Sequence, residues 1–215
     1  MYHYLPSCKV KQIHPETSLK IQNYLRSKEV EICGCCRISQ DLFHSGDTVV
    51  TNCTSCAIIT DERSPQCKEM SLYEYLLEDA SFPWPDHHGE RITVQDCYRT
   101  IHKPEVQKAV RECLKKMNMI PVEIEENYEK TRFDGPFRYQ EIQAGNLRLA
   151  PEYFNKMAKE YIEVLAEEDQ IKRMEAWAKQ YTTDRVVVYC NSCLKGVQMG
   201  KANGVHIIDL LADNL

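Results

Sequence analysis

Nowhere in these 215 residues is there an apolar run approaching the roughly 18–20 residues that a membrane-spanning helix needs. The opening Met1-Tyr-His-Tyr-Leu-Pro-Ser-Cys8 has neither a charged n-region nor a long apolar stretch, so no export signal is expected and the cytoplasm is the default compartment. Lys and Arg number 27 against 32 Asp and Glu, a net charge of −5, and no basic cluster tracks a phosphate backbone; nucleic acid is not expected as a partner. A Gly-x-Gly-x-x-Gly nucleotide fingerprint is also missing, so any flavin or nicotinamide would sit on a partner protein. What remains, 43% hydrophobic and 27% charged residues, is the composition of an ordinary globular protein, long enough for one domain or two small halves.

Cysteine is abundant instead. Eleven cysteines, an odd number in a chain for which no export signal is expected and large enough to build a core without staples, point to metal ligation or redox chemistry rather than to disulfides. Their placement is patterned. Asp47-Thr-Val-Val-Thr-Asn-Cys53-Thr-Ser-Cys56 recurs as Asp184-Arg-Val-Val-Val-Tyr-Cys190-Asn-Ser-Cys193, with six of ten positions identical. A polar stretch and then an apolar helical run follow each copy, Leu72–Leu77 and Val205–Leu211. The duplication predicts two related halves, each delivering a Cys-x-x-Cys pair to the end of a buried strand.

Strands are expected at Tyr2–Leu5, Val30–Ile32, Thr48–Thr51, Arg91–Gln95, Val122–Ile124 and Val186–Tyr189 from β-branching and alternation. Helical spacing marks residues 15–27, 104–118 and a long helix from Pro151 to about Gln180, with Pro at each start. A short helix ends near Phe43, and the segment 125–150 reads as irregular. Pro83-Trp-Pro-Asp-His-His-Gly-Glu90 reads as a linker, giving a first cysteine-rich half over 1–82 and a second over 91–215. Alternating strands and helices predict an α/β fold of two pseudo-symmetric Rossmann-like halves with small parallel sheets, and a metal site at the carboxyl ends of the strands. Six cysteines of the first half (Cys8, Cys33, Cys35, Cys36, Cys53 and Cys56) follow predicted strands and are the expected metal ligands. Cys97, Cys190 and Cys193 offer a second site in the other half.

Cys8, then Cys35-Cys36, then Cys53-Thr-Ser-Cys56 resembles the cysteine-rich CCG domain of the heterodisulfide reductase B-like family, with its related glycolate- and lactate-oxidation proteins. Tyr4-Leu-Pro-Ser-Cys8 is similar to the family's opening strand and cysteine, and Thr93-Val-Gln-Asp-Cys97 to its second-half counterpart. The resemblance implies an iron–sulfur redox protein, with a 4Fe–4S cluster, noncubane in form, on Cys8, Cys35, Cys36, Cys53 and Cys56, or zinc as in some copies of the motif. It also implies electron transfer to a thiol or disulfide substrate, or to a flavoprotein or iron–sulfur partner, with oxidoreductase activity or an electron-transfer role within a larger enzyme. The chain departs from the pattern in several places. Arg37 stands where glycine follows Cys-Cys, sixteen residues separate Cys36 from Cys53, and Cys33 is an additional thiol. In the second half Phe133-Asp134-Gly135 stands where a Cys-Cys-Gly would be, leaving three thiols to be completed by Asp134, His102 or an external group.

Two other readings remain open. Strand-Cys-x-x-Cys is also the arrangement of metal-free thiol–disulfide oxidoreductases, although Thr-Ser and Asn-Ser between the cysteines lack the usual Gly-Pro. Zinc with a purely structural role would make this a binding protein. Cys67 and Cys113 are expected to be structural, His87 and His88 solvated, His206 a cap or packing residue, and Trp84 and Trp177 packing residues. The charge run over 156–175 is expected to be a solvated helix face.

Overall fold

A computed structural model describes all of residues 1–215. The first half runs β1 (Tyr2–Leu5), α1 (Cys8–Ile13), α2 (Pro15–Ser27), β2 (Glu31–Ile32), β3 (Thr48–Thr51), α3 (Thr54–Arg63), β4 (Lys68–Ser71) and α4 (Leu72–Glu78). The second runs β5 (Arg91–Val94), α5 (Pro104–Lys116), β6 (Ile120–Val122), α6 (Ala144–Leu149), α7 (Pro151–Glu160), α8 (Glu167–Ala178), β7 (Val186–Val188), α9 (Asn191–Met199), β8 (Gly204–His206) and α10 (Ile207–Leu211). Residues 83–90 lie between α4 and β5 outside any helix or strand.

Each half builds one four-stranded, all-parallel sheet, ordered β2-β1-β3-β4 and β6-β5-β7-β8. The fold is therefore α/β with two Rossmann-like halves of identical strand order. The central strands, Thr48–Thr51 and Val186–Val188, are almost entirely buried, as β-branched residues covered on both faces should be. In this order the chain reverses direction across the sheet between the first and third strands of each half. Such switch points leave a crevice beyond the strands' carboxyl ends, where α/β proteins bind ligands. Cys8 and Cys53 lie beside one crevice, and Cys97 and Cys190 beside the other.

Several expectations are corrected. The polar stretches after each Cys-x-x-Cys are helices, α3 and α9, followed by the short edge strands β4 and β8. These edge strands are too short and too polar to carry an alternating pattern. The strand expected at Val122–Ile124 lies at Ile120–Val122, where Ile120 pairs with Arg91. The segment 125–150 contains two 3₁₀ turns and α6. The long helix from Pro151 breaks at residues 161–166. There Glu163 N donates to Arg138 O at 3.0 Å and Leu165 N to Tyr139 O at 3.1 Å, so a neighbouring turn takes the donors that a continuous helix would use internally.

A large core cluster joins the halves: Tyr4, Val10, Ile21 and Tyr73 of the first pack in one body with Ile92, Val110, Val187 and Ile208 of the second. A smaller cluster lies over the first half's thiols. In it Ile142, Leu149, Phe154, Met157 and Tyr161 of the second half pack against Leu5, Cys36, Cys56 and Ile59. Glu62 anchors this cover by accepting the Glu152 and Tyr153 amides at the start of α7, at 3.1 and 2.8 Å.

Candidate metal centre

Four side chains of the second half converge at its switch point. The ligand atoms of Cys97, Asp134, Cys190 and Cys193 all lie within 4.8 Å of one another, and all four residues are buried. Cys97 comes from the end of β5, and Cys190 is the residue capping the start of α9, with Cys193 one turn inside that helix. Asp134 arrives on the loop before the 3₁₀ turn Gly135–Tyr139. Glycine is required at 135: its φ is +55°, and a Cβ there would lie 1.9 Å from the Ser192 carbonyl oxygen. Ser192 then stitches the loop down, its hydroxyl donating to Asp134 O at 2.6 Å and accepting from Phe137 N at 3.1 Å.

The cysteine at 97 is held from behind. Asp96 forms a bidentate pair with Arg111 at 2.7 and 2.8 Å and accepts the Tyr189 hydroxyl at 2.8 Å, while Tyr189 Oη accepts from Cys97 N at 3.1 Å. Arg111 also pairs with Glu123 and lies over the Tyr128 ring. The residues preceding both ligating strand ends thus lock one another.

Burial pushes the Cys97 and Cys193 thiols well up. Cys190 goes the other way: hydrogen bonds from Cys193 and Cys97, then the Arg99 guanidinium, hold it well below the usual thiol range. Burial likewise raises the Asp134 carboxyl to about 7, against the pull of Arg99. Arg99 donates to Asp134 Oδ1 from Nε at 3.1 Å and from Nη2 at 2.7 Å, and Nη2 also reaches Cys190 Sγ at 3.0 Å. Asp134 Oδ2 is buried with no hydrogen-bond partner. A buried carboxylate oxygen left unpaired among three sulfurs is what a cation ligand looks like before its cation is added. The donor set, three soft sulfurs and one oxygen, fits zinc or iron.

In the first half the repeat places Cys8, Cys36, Cys53 and Cys56 at the corresponding positions, but the six cysteines expected there as ligands do not gather into one group as the second set does. The thiols of Cys36, Cys53 and Cys56 perturb one another: Cys36 and Cys53, together with burial, push Cys56 well up, and burial raises Cys35. Cys53 caps the start of α3 as Cys190 caps α9. The hydrogen bond from Cys56 is the main cause that brings Cys53 down to about 6; Arg99 adds to it. Cys8 is exposed at the first turn of α1. Cys33 is engaged elsewhere, its Sγ 3.8 Å from His3 Nδ1, and burial raises it to about 11. His3 lies between Glu31 and Asp47 at 3.0 and 3.2 Å.

Of the groups expected to complete the second site, Asp134 does so. His102 is exposed and lines a shallow surface cavity with Tyr98, Tyr153 and Lys156. Cys113 is buried in the core and Cys67 contacts the His44 carbonyl, both as packing residues. His206 caps α10. A small cavity opens between the halves beside Cys53 and is lined also by Asn52, Glu69, Tyr73, Arg99 and Lys103. Both amide atoms of Asn52 and the Tyr73 hydroxyl are buried without partners.

Sequence reasoning missed Arg99, Asp96, Arg111 and Tyr189. A signal was present for part of this: the serine is identical in both Cys-x-x-Cys copies, and Ser55 and Ser192 each hold a group that reaches the second site.

Fold and site together define a two-half α/β protein with a buried cysteine–aspartate group able to hold a metal ion. No protein-family model matches the chain, and neither the curated proteins nor the solved structures include a match. No helix is long and apolar enough to cross a membrane.

Proposed function

We propose that this protein is a metal-containing redox protein of the heterodisulfide reductase B-like type, which passes electrons between a partner protein and a thiol or disulfide. The observation that carries the reading is the convergence of Cys97, Asp134, Cys190 and Cys193 at a switch point; Cys8, Cys53 and Cys56 stand at the same places along the chain relative to β1, β3 and α3.

The two sets suit different metals. In tetrahedral zinc sites Zn–S is about 2.3 Å, so the ligand atoms stand about 3.8 Å apart, within the spacing of the second set. In the first half the feature that supports a cluster is the adjacent pair Cys35-Cys36, because neighbouring thiols that project in different directions suit an asymmetric iron–sulfur cluster better than a tetrahedral ion. We therefore assign a single divalent ion to the second half and an iron–sulfur cluster to Cys8, Cys35, Cys36, Cys53 and Cys56 of the first. Such a cluster would supply one-electron chemistry beside thiols. This chain's residues would hold it and exclude water through the cover of Phe154, Met157 and Tyr161; the cavity beside Cys53, about 20 Å³, has room for a water but not for a thiol or disulfide.

One observation favours a metal-free thiol–disulfide protein instead: the lowered Cys53 at a helix start, hydrogen-bonded to Cys56, is how a reactive cysteine pair is built. Metal and acid-labile sulfide content of protein purified without oxygen decides between the readings. Iron with equimolar sulfide, lost in Cys35→Ser/Cys36→Ser but kept in Cys67→Ser, is expected. Iron retained in the double variant would overturn the ligand assignment, and a metal-free protein would leave the thiol reading.

A further inference from the structure

Arg99 hydrogen-bonds to both Cys-x-x-Cys motifs. It leaves the second half just after Cys97, and its guanidinium is buried to 4% exposure. One face of the group meets Asp134 Oδ1 and Cys190 Sγ. The remaining arm, Nη1, crosses to the first half and donates to Ser55 Oγ at 2.6 Å. Ser55 lies between Cys53 and Cys56, and the guanidinium stacks over the Phe137 ring at 4.5 Å. The starts of α3 and α9 meet at this point, with Thr54 Oγ1 4.0 Å from Cys190 Sγ.

We infer that Arg99 is a positioning residue for the second-half metal, set in place by the first half's motif through Ser55. This rests on the reading of Cys97, Asp134, Cys190 and Cys193 as a metal site. Its basis is charge and geometry. Three thiolates and a carboxylate bring four negative charges, so a bound divalent ion leaves the buried set negative. A buried net charge is costly unless it is paired, and no other cation touches these ligands. Arg99 supplies the compensating charge without occupying a ligand position, because its bonds to Asp134 all go to Oδ1 and leave Oδ2 free. A planar fork suits the task, since it can hold a carboxylate and a thiolate on one side and a hydroxyl on the other. Ser55 fixes the fork's orientation, so the first half's motif governs how well the second half holds its ion.

The test is cobalt(II) binding to the full chain, followed through thiolate-to-metal absorbance and chelator competition, with Cys97→Ser defining the signal of the second site. Groups that orient metal ligands are typically worth about 10–100-fold in affinity. Arg99→Gln is expected to weaken cobalt binding by that order and to shift the absorbance bands. Arg99→Lys is expected to restore part of the affinity by returning the charge. Ser55→Ala, which touches no second-site ligand and keeps the core intact, is expected to give a smaller loss in the same direction. Wild-type affinity and spectrum in both Arg99→Gln and Ser55→Ala would overturn the inference alone. A wild-type chain with no cobalt signal sensitive to Cys97→Ser would overturn the metal reading and this inference with it.

Discussion

His206 ends β8 and caps α10, its Nδ1 accepting from Ile208 N at 3.4 Å, while Nε2 is buried without a partner. Burial first, and then the nearby His14 ring at 5.2 Å, push its imidazole down to about 4; Asp209 and Cys190 pull weakly the other way. A histidine whose folded pKa lies below its unfolded value of about 6.5 binds protons more readily when unfolded. Its contribution to stability is therefore complete above about pH 6.5 and is lost as the pH falls toward about 4, by up to about 3 kcal/mol. Asp209, held below the usual carboxylate range by bonds from His14 and Thr17 that outweigh its burial, loses its contribution on further acidification. His206→Asn keeps a helix-capping side chain and removes the titration. Denaturant melts between pH 4 and 7 are expected to show a shallower acid decline in that variant; parallel curves would exclude this role for His206.

At the scale of elements, the turn Gly135–Tyr139 takes the place of the missing Cys-Cys. It lies against α9 so closely that a Cβ on Gly196 would meet Gly135 Cα at 2.5 Å. Gly135→Ala would combine a left-handed backbone, worth about 1–3 kcal/mol by itself, with a clash against Ser192 O that no rotamer relieves. The variant is expected to lose second-site metal and to melt earlier, whereas Gly46→Ala, with nothing within 4 Å of its Cβ, should incur the backbone cost alone and keep its metal. Equal metal content in the two variants would show that the turn does not place Asp134. The break between α7 and α8 belongs to the same element: Glu163 and Leu165 give their amides to this turn, and Tyr161 stacks on Tyr98 at 3.5 Å and donates to Arg132 O at 2.7 Å. Periodicity alone reads one helix there because the apolar spacing continues across the break; the competing hydrogen bonds come from residues more than twenty positions away.

Across the whole molecule the two halves share one core, and the second half covers the thiols of the first. The main cluster contains residues of both sheets, and α6 and α7 of the second half cover the thiols of the first. Lys103 crosses between halves to Glu69 and to Asp61, the latter at 2.7 Å, and Lys20 of α2 reaches the Ala212 carbonyl at 3.1 Å. Because the main core cluster draws on both halves, unfolding should be a single transition. Far-ultraviolet dichroism and the fluorescence of Trp84 and Trp177, packed against the shared core, are expected to report coincident midpoints. Two separated midpoints would mean that the halves fold independently.

The amino-acid sequence by itself determined the repeated strand-Cys-x-x-Cys phrase, the parallel α/β halves and the cysteines at the strand ends, because period-two burial, β-branching and motif spacing are local properties of the chain. It also offered Asp134, beside His102 and an external group, as a completion of the second set. It could not say which thiols meet, because that depends on where the strands lie in the sheet. The sheet order puts Cys97 beside Cys190 at a switch point, while the alternation of β2 leaves Cys33 with His3. Only the tertiary structure decided that Asp134 rather than His102 completes the second set, that Arg99 joins the two motifs, and that one half shields the thiols of the other. Each of these is a contact between residues far apart in sequence, fixed by packing and by the need to pair buried charge.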